Sequence, residues 1–140
     1  MATVKLLSDD ELSADARAVF DDIRMVRKSD FVNNFWRALA HDPKTLRRTW
    51  ESIKEVMAPG ALDPKTKEML YVAVSIAHGC SYCIHSHTAA RAKGMTEAEY
   101  GELLAIVGMA AETNRLVTAL GVPVDEAFLV DAPAGRSQEP

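Results

Sequence analysis

The chain has 140 residues, of which 48% are hydrophobic and 26% charged, an ordinary composition for a water-soluble globular protein. A chain of this length can bury a core without metals or disulfide staples, so we expect a single domain over 1–140. The net charge of −4 argues against nucleic acid or an acidic membrane surface as the main partner. With no cationic leader and no uncharged run near the roughly 20 residues of a membrane span, we expect a cytoplasmic protein that does not bind membranes.

Hydrophobic residues recur at helical spacing through most of the chain, and no stretch alternates with the period of a strand. The pattern predicts an all-α fold, a compact bundle of about six helices. The first helix is predicted over about 9–27, where Ser8 and Glu11 form a capping box. A short second helix is predicted over the apolar residues that begin at Phe31, and it stops before Asp42.

The tetrapeptide DPKT occurs at 42–45 and again at 63–66. Each copy is a helix start, because an acidic cap precedes a proline at the first helical position, where a missing N–H costs nothing. The third helix follows the first copy, and the fourth is predicted from Pro64 to about His78. The centre of the fourth helix, 69–77, has no charged residue, which indicates burial on all sides in a core or in an oligomer interface.

Gly79 follows the fourth helix and suits the left-handed conformation that closes a helix. The fifth helix is predicted to begin near Cys80 or Ser81 and to end before Gly94. The Cys-x-x-Cys pair therefore lies at the start of a helix, where the partial positive charge favours a thiolate.

Thr96 and Glu99 form another capping box ahead of a long apolar run. This run predicts a sixth helix that breaks near 113–114 and resumes through Leu120. Proline and glycine are frequent in 121–140, so we expect an extended C-terminal arm there.

Reactive side chains concentrate in 68–87, which holds the only two cysteines and three of the four histidines. Cys83 and His87 are four residues apart and share a helix face. A thiol is a poor nucleophile until a base such as an imidazole takes its proton, and Cys80 can then close a disulfide. In a hairpin of the fourth and fifth helices, Glu68 and His87 fall at similar depths, roughly 16 Å and 12 Å from the turn. Glu68 is thus expected to reach His87 directly or through one water and to orient it, as in a catalytic triad.

Two other interpretations of this cluster remain open. The cysteines can be inert core residues, since free cysteine is often buried. They can also bind zinc without redox chemistry. The zinc ligands would be Cys80, Cys83 and His87 with His78, His85 or Glu68. Structural zinc usually takes a second ligand pair from a distant segment, and the sequence has none, so we predict neither a metal nor a cofactor.

The remaining histidines and the tryptophans are assigned structural roles. His41 is expected in a loop, and His78 and His85 at helix ends or on the surface. His85 falls about 140° around the helix from Cys80, off the reactive face. Trp36 and Trp50 are expected in the core or in an interface rather than in a ligand site.

The pattern of Glu68, twelve positions to Cys80, the sequence Cys-Ser-Tyr-Cys, and four positions to His87 resembles the active-site signature of the AhpD-like alkyl hydroperoxidases. These belong to the carboxymuconolactone decarboxylase superfamily. The resemblance is closest over roughly 60–115. Some members carry a histidine between the cysteines, whereas here Tyr82 stands there as a possible accessory residue, a phenol that shuttles protons less easily near pH 7.

The resemblance implies a thiol-dependent peroxidase that reduces hydroperoxides with electrons from an external dithiol or protein reductant. Cys83 would be the peroxidatic thiol, and Cys80 would protonate the leaving oxygen and close the disulfide. His87 and Glu68 would form the proton relay. The subunit would be a compact helical one in a homotrimer or homohexamer. One alternative is a lactone-acting or decarboxylating member of the superfamily, although those branches need no dithiol. The other alternative is a redox sensor.

Overall fold

The computed structural model describes residues 2–88 and 94–129. Their regular structure is entirely helical, which confirms the predicted all-α class. The α-helices are α1 (Ala14–Arg27), α2 (Asn34–Leu39), α3 (Pro43–Met57), α4 (Pro64–Ala77), α5 (Ser81–Thr88) and α6 (Glu97–Leu120). Among the described residues, short 3-10 helices span Asp9–Glu11 and Glu126–Phe128. The chain forms two compact units, one ending at Lys67 and the other beginning at Glu68, and the single domain over 1–140 stays a prediction.

The first unit has a hydrophobic core of its own, in which both α1 and α2 pack against α3. The indoles of Trp36 and Trp50 meet edge to face at its centre, with ring centroids 5.6 Å apart. Both tryptophans are almost fully buried, so the prediction that they are core residues is confirmed. The buried cluster consists of Leu12, Ala16, Val19, Phe20, Ile23, Val32, Trp36, Ala40, Leu46 and Trp50.

Both DPKT copies start helices as predicted. The Asp42 carboxylate accepts backbone N–H groups at 3.1 and 3.3 Å in the first turn of α3. The Asp63 carboxylate accepts the Thr66 N–H at 3.1 Å in the first turn of α4. These caps depend only on neighbouring residues, which is why the sequence reveals them.

The first helix begins later than predicted. The capping box of Ser8 and Glu11 is present, but it caps the 3-10 helix Asp9–Glu11. The chain is extended at Leu12 and Ser13, and the Ser13 side chain accepts a backbone N–H at 3.2 Å to start α1. Ser8 and Ser13 are thus two candidate caps within six residues of sequence, and α1 starts at the second. The Leu12 side chain, which precedes this start, is buried in the core.

The second helix is also shorter than predicted, because it begins at Asn34 rather than near Phe31. The carbonyl groups ahead of it are bound by arginine side chains: Asp30 accepts from Arg24 and Val32 accepts from Arg37, both at 3.1 Å. Phe31 is 71% exposed. Side-chain hydrogen bonds from residues five and six positions away therefore occupy carbonyl groups of this segment, which lies outside the helix.

The central run of α4 is buried on one face only. Glu68, Val72 and Ser75 are buried at helical spacing, whereas Leu70 and Val74 are more than half exposed. The predicted burial on all sides is therefore wrong for the single chain. Burial of the remaining faces of α4 in an interface with another subunit stays a prediction.

The predicted break in the sixth helix is wrong, since α6 is continuous from Glu97 to Leu120. The Thr113 hydroxyl donates to the Met109 carbonyl at 3.0 Å, so this polar side chain is satisfied without interrupting the helix. The capping box of Thr96 and Glu99 is present as predicted. By length and composition alone α6 could span a membrane. The predicted arm is described only as far as residue 129, and its residues 130–140 lie outside the described part.

Candidate active site

The turn between α4 and α5 places the cysteines. Gly79 adopts a left-handed conformation with φ of 69°, as predicted, and closes α4. The Cys80 N–H then donates to the Ser75 carbonyl at 3.0 Å, which fixes Cys80 against the last turn of α4. The Cys80 carbonyl in turn accepts the Ile84 N–H at 2.9 Å and starts α5. The Cys-x-x-Cys pair therefore lies at the start of a helix, as predicted.

Cys80 and Cys83 are joined by a disulfide, with their Cα atoms 5.3 Å apart. That separation is ordinary for a disulfide, so α5 needs no distortion to form it. The Cys83 N–H donates to Cys80 Sγ at 3.3 Å, so the Cys80 sulfur occupies the capping position of α5. Both residues are partly buried. The disulfide therefore closes within the first turn of α5 without interrupting the helix.

Glu68 and His87 are in direct contact. The Oε2 atom of Glu68 lies 2.8 Å from Nδ1 of His87, and their side chains are only 8% and 19% exposed. With Glu68 ionised, its carboxylate only accepts hydrogen bonds, and this contact assigns the proton to Nδ1 of the imidazole. The other ring nitrogen, Nε2, is then left to accept a proton. The sequence left open whether Glu68 reaches His87 directly or through one water, and the structure shows the direct contact.

A third residue, which the sequence analysis missed, completes this arrangement. The ring of Tyr71 stacks on the imidazole of His87, with centroids 3.7 Å apart and planes inclined by 21°. The signal was available, since Tyr71 is three residues after Glu68 and shares its helix face. An aromatic residue in an apolar run is ordinarily assigned to the core, and this is why the spacing alone did not single it out.

The other candidate residues lie apart from this contact. Tyr82 is 43% exposed. His85 is exposed, and its Nδ1 bonds to the Ser81 carbonyl at 2.7 Å. His78 is exposed at the end of α4, and His41 Nε2 bonds to the Lys5 carbonyl at 2.7 Å. All three histidines thus have the peripheral positions that the sequence predicted.

Within residues 2–88 and 94–129, no group of three or more His, Cys, Asp and Glu side chains is arranged to hold a metal ion. The alternative zinc site needs Cys80 and Cys83 as thiolates, and in this structure both sulfurs are in a disulfide.

Comparison with known proteins places this site in a family. The model of the carboxymuconolactone decarboxylase family matches residues 43–125, which include both cysteines, Glu68, Tyr71 and His87. The chain belongs to the carboxymuconolactone decarboxylase family. No curated protein matches the sequence.

Among solved structures, this member of the family is similar to the crystal structure of the alkylhydroperoxidase AhpD core from Rhodospirillum rubrum. The two chains are 66% identical, and the match covers 94% of this chain and 99% of the other with a TM-score of 0.90. The AhpD-like fold expected from the sequence is therefore confirmed.

Proposed function

We propose that this protein is an alkyl hydroperoxide reductase-like enzyme that reduces hydroperoxides through a Cys80–Cys83 disulfide. Membership of the family and the likeness to an alkylhydroperoxidase support the peroxidase class. The observation that carries the proposal is the buried Glu68–His87 hydrogen bond in the same helical hairpin as the disulfide. A shielded carboxylate that orients an imidazole is how proteins prepare a base for a thiol nucleophile.

The proposed cycle starts from the dithiol. His87 takes the proton of Cys83, and the thiolate attacks the terminal oxygen of the hydroperoxide. The O–O bond breaks, Cys83 becomes a sulfenic acid, and the leaving alkoxide takes the proton of Cys80 to become the alcohol. The Cys80 thiolate then attacks the Cys83 sulfur, and the departing hydroxide takes the proton held by His87 and leaves as water.

The disulfide in the structure corresponds to the end of this half of the cycle. An external dithiol, small or protein-borne, returns two electrons and two protons and itself becomes a disulfide. A cytoplasmic location, where thiol pools are kept reduced, suits such a partner. Tyr82, exposed between the cysteines, is proposed as an accessory residue at this face.

We further propose that α6 packs against other copies of the chain in a homotrimer or homohexamer. Of its residues only Leu103 is buried, and Ile106, Met109 and Leu120 are each at least 60% exposed. A groove of about 240 Å³ runs between α4 and α6. It is lined by Met69, Leu70, Ala73, Leu103, Ile106 and Val107, with Glu99 and Glu102. An apolar surface of this extent is unusual on a monomer and typical of an interaction site.

The deciding experiment is a free-thiol count with intact mass on the reduced protein, before and after one equivalent of an organic hydroperoxide. If the proposal is right, both thiols disappear together, the protein loses the mass of a pair of hydrogen atoms, and the alcohol appears in equal amount. If both thiols persist, the protein is not a peroxidase. A parallel reaction with hydrogen peroxide shows whether reduction depends on the organic group of the hydroperoxide.

A further inference from the structure

The imidazole of His87 is held from two directions by residues of one helix. Glu68 binds its edge at Nδ1, and Tyr71, one turn further along α4, covers its face. The two contacts restrict different motions. A single hydrogen bond at Nδ1 leaves the ring able to swing about that bond, and a ring stacked 3.7 Å away removes this freedom.

The stacking also bears on charge. The face of an aromatic ring is negative and attracts cations. When His87 holds the proton of a thiol it is an imidazolium, with the Glu68 carboxylate at one edge and the Tyr71 ring over one face. Both neighbours therefore stabilise the imidazolium form of His87.

We propose that Tyr71 is a positioning residue for His87, and that its ring, not its hydroxyl, fixes the plane of the imidazole and hence the direction in which Nε2 points. This inference rests on the proposed function insofar as His87 is the base for Cys83. The hydroxyl is excluded because stacking needs only the ring. Leucine at this position would fill the space without presenting an aromatic face.

The backbone of Tyr71 is anchored independently of the stack. The Ser75 hydroxyl donates to the Tyr71 carbonyl at 2.7 Å, and the adjacent Val72 side chain is fully buried. A substitution at Tyr71 therefore changes the ring contact while the helix around it keeps its own supports.

The test uses a Cys80→Ser background, so that Cys83 is the only thiol, and measures its alkylation by iodoacetamide at pH 7. Tyr71→Phe is expected to react within about twofold of the parent, because the stack remains. Tyr71→Leu is expected to react about threefold to tenfold more slowly, the range set by the worth of an aromatic pair. Phe31→Leu, which removes an exposed aromatic residue in the other unit, is the control.

Nuclear magnetic resonance of the His87 ring nitrogens gives a second readout that a loss of packing would not move. Glu68 keeps the proton on Nδ1 in all three proteins, so the readout is the orientation of the ring. The parent and Tyr71→Phe are expected to show one ring orientation, and Tyr71→Leu is expected to show exchange between several. Equal alkylation and a single ring orientation in Tyr71→Leu would overturn the inference, as would an equal loss in Tyr71→Phe. If Tyr71→Leu does not fold, the test uses the spectra of the unsubstituted protein. Absence of a Tyr71–His87 ring contact in those spectra overturns the inference.

Neither readout uses a hydroperoxide, so this inference and the proposed function can fail separately. A protein that aligns His87 through Tyr71 but leaves hydroperoxide untouched refutes the function alone. A protein that reduces hydroperoxide with unchanged ring orientation and alkylation in Tyr71→Leu refutes the role of Tyr71 alone.

Discussion

Glu68 and His87 are 19 positions apart in sequence, yet Oε2 of the carboxylate lies 2.8 Å from Nδ1 of the imidazole. The contact joins the start of α4 to α5 across the turn at Gly79, and little of either side chain is exposed. Because burial shields the pair from water, the hydrogen bond is stronger than it would be on the surface. The proposed chemistry depends on this contact.

Glu68→Gln is expected to slow hydroperoxide reduction by about tenfold to a hundredfold, the usual effect of losing a group that orients an imidazole. Glutamine keeps the size of the side chain but not its charge, so the imidazolium loses its counter-charge. Steady-state turnover with a fixed dithiol reductant measures the effect. Glu55→Gln, on the exposed side of α3, is the matched control. Turnover in Glu68→Gln equal to that of the parent would remove Glu68 from the relay.

Replacing each cysteine by serine is expected to stop hydroperoxide reduction at a different step. Cys83→Ser should not consume hydroperoxide above background, because the attacking sulfur is gone. Cys80→Ser should consume one equivalent and stop, because the sulfenic acid on Cys83 has no partner to close a disulfide. A reagent that traps sulfenic acids, followed by intact mass, distinguishes the two. One equivalent consumed by Cys83→Ser and none by Cys80→Ser would reverse the assignment of roles.

Charge on the exposed face of α6 is expected to break the oligomer. Ile106→Lys and Met109→Lys each place an ammonium group where the interface would need an apolar surface, and burying an unpaired charge is costly. Size-exclusion chromatography with light scattering should show the parent as a trimer or hexamer and these variants as smaller species. Met25→Lys, equally exposed but on α1, should leave the mass unchanged. A monomeric parent, or a parent found only in membranes, would refute the proposed assembly.

Asp22 couples stability to pH in the first unit. Lys54 Nζ at 2.8 Å and Trp50 Nε1 at 2.6 Å both donate to its carboxylate and hold the pKa of that carboxyl below its ordinary value. A carboxyl with a depressed folded-state pKa stabilises the fold above its unfolded-state pKa of about 4. This stability is lost as the pH falls through the folded-state pKa.

Asp22→Asn is therefore expected to lower the free energy of unfolding by about 1 kcal/mol at pH 7. The difference from the parent should shrink as the pH falls below about 4 and towards the lower folded-state pKa, where the parent carboxyl also becomes neutral. Urea titrations at several pH values measure both effects. Asp21→Asn is the control, because this exposed neighbour makes only a 3.7 Å ion pair. A difference that is constant with pH would show that the charge of Asp22 is not involved.

The starts of α3 and α4 and the turn after α4 were predictable because their physics is local. Asp42 and Asp63 cap the helices that follow them, and Gly79 takes the left-handed conformation that residues with a side chain rarely adopt. The predicted break at 113–114 was wrong for a physical reason. The Thr113 hydroxyl binds a carbonyl of its own helix, an outcome that composition alone does not distinguish from a break.

The sequence by itself determined the helical class, the caps at Asp42 and Asp63, and the spacing of the cysteines, since spacing along a helix is a property of the chain alone. Only the tertiary structure decided that Glu68 meets His87 without a water and that Tyr71 stacks on the same ring. It also decided that α6 leaves most of its apolar surface exposed. These facts depend on which helix faces pack together. Hydrophobic periodicity shows that a face is buried but not which side chain it meets.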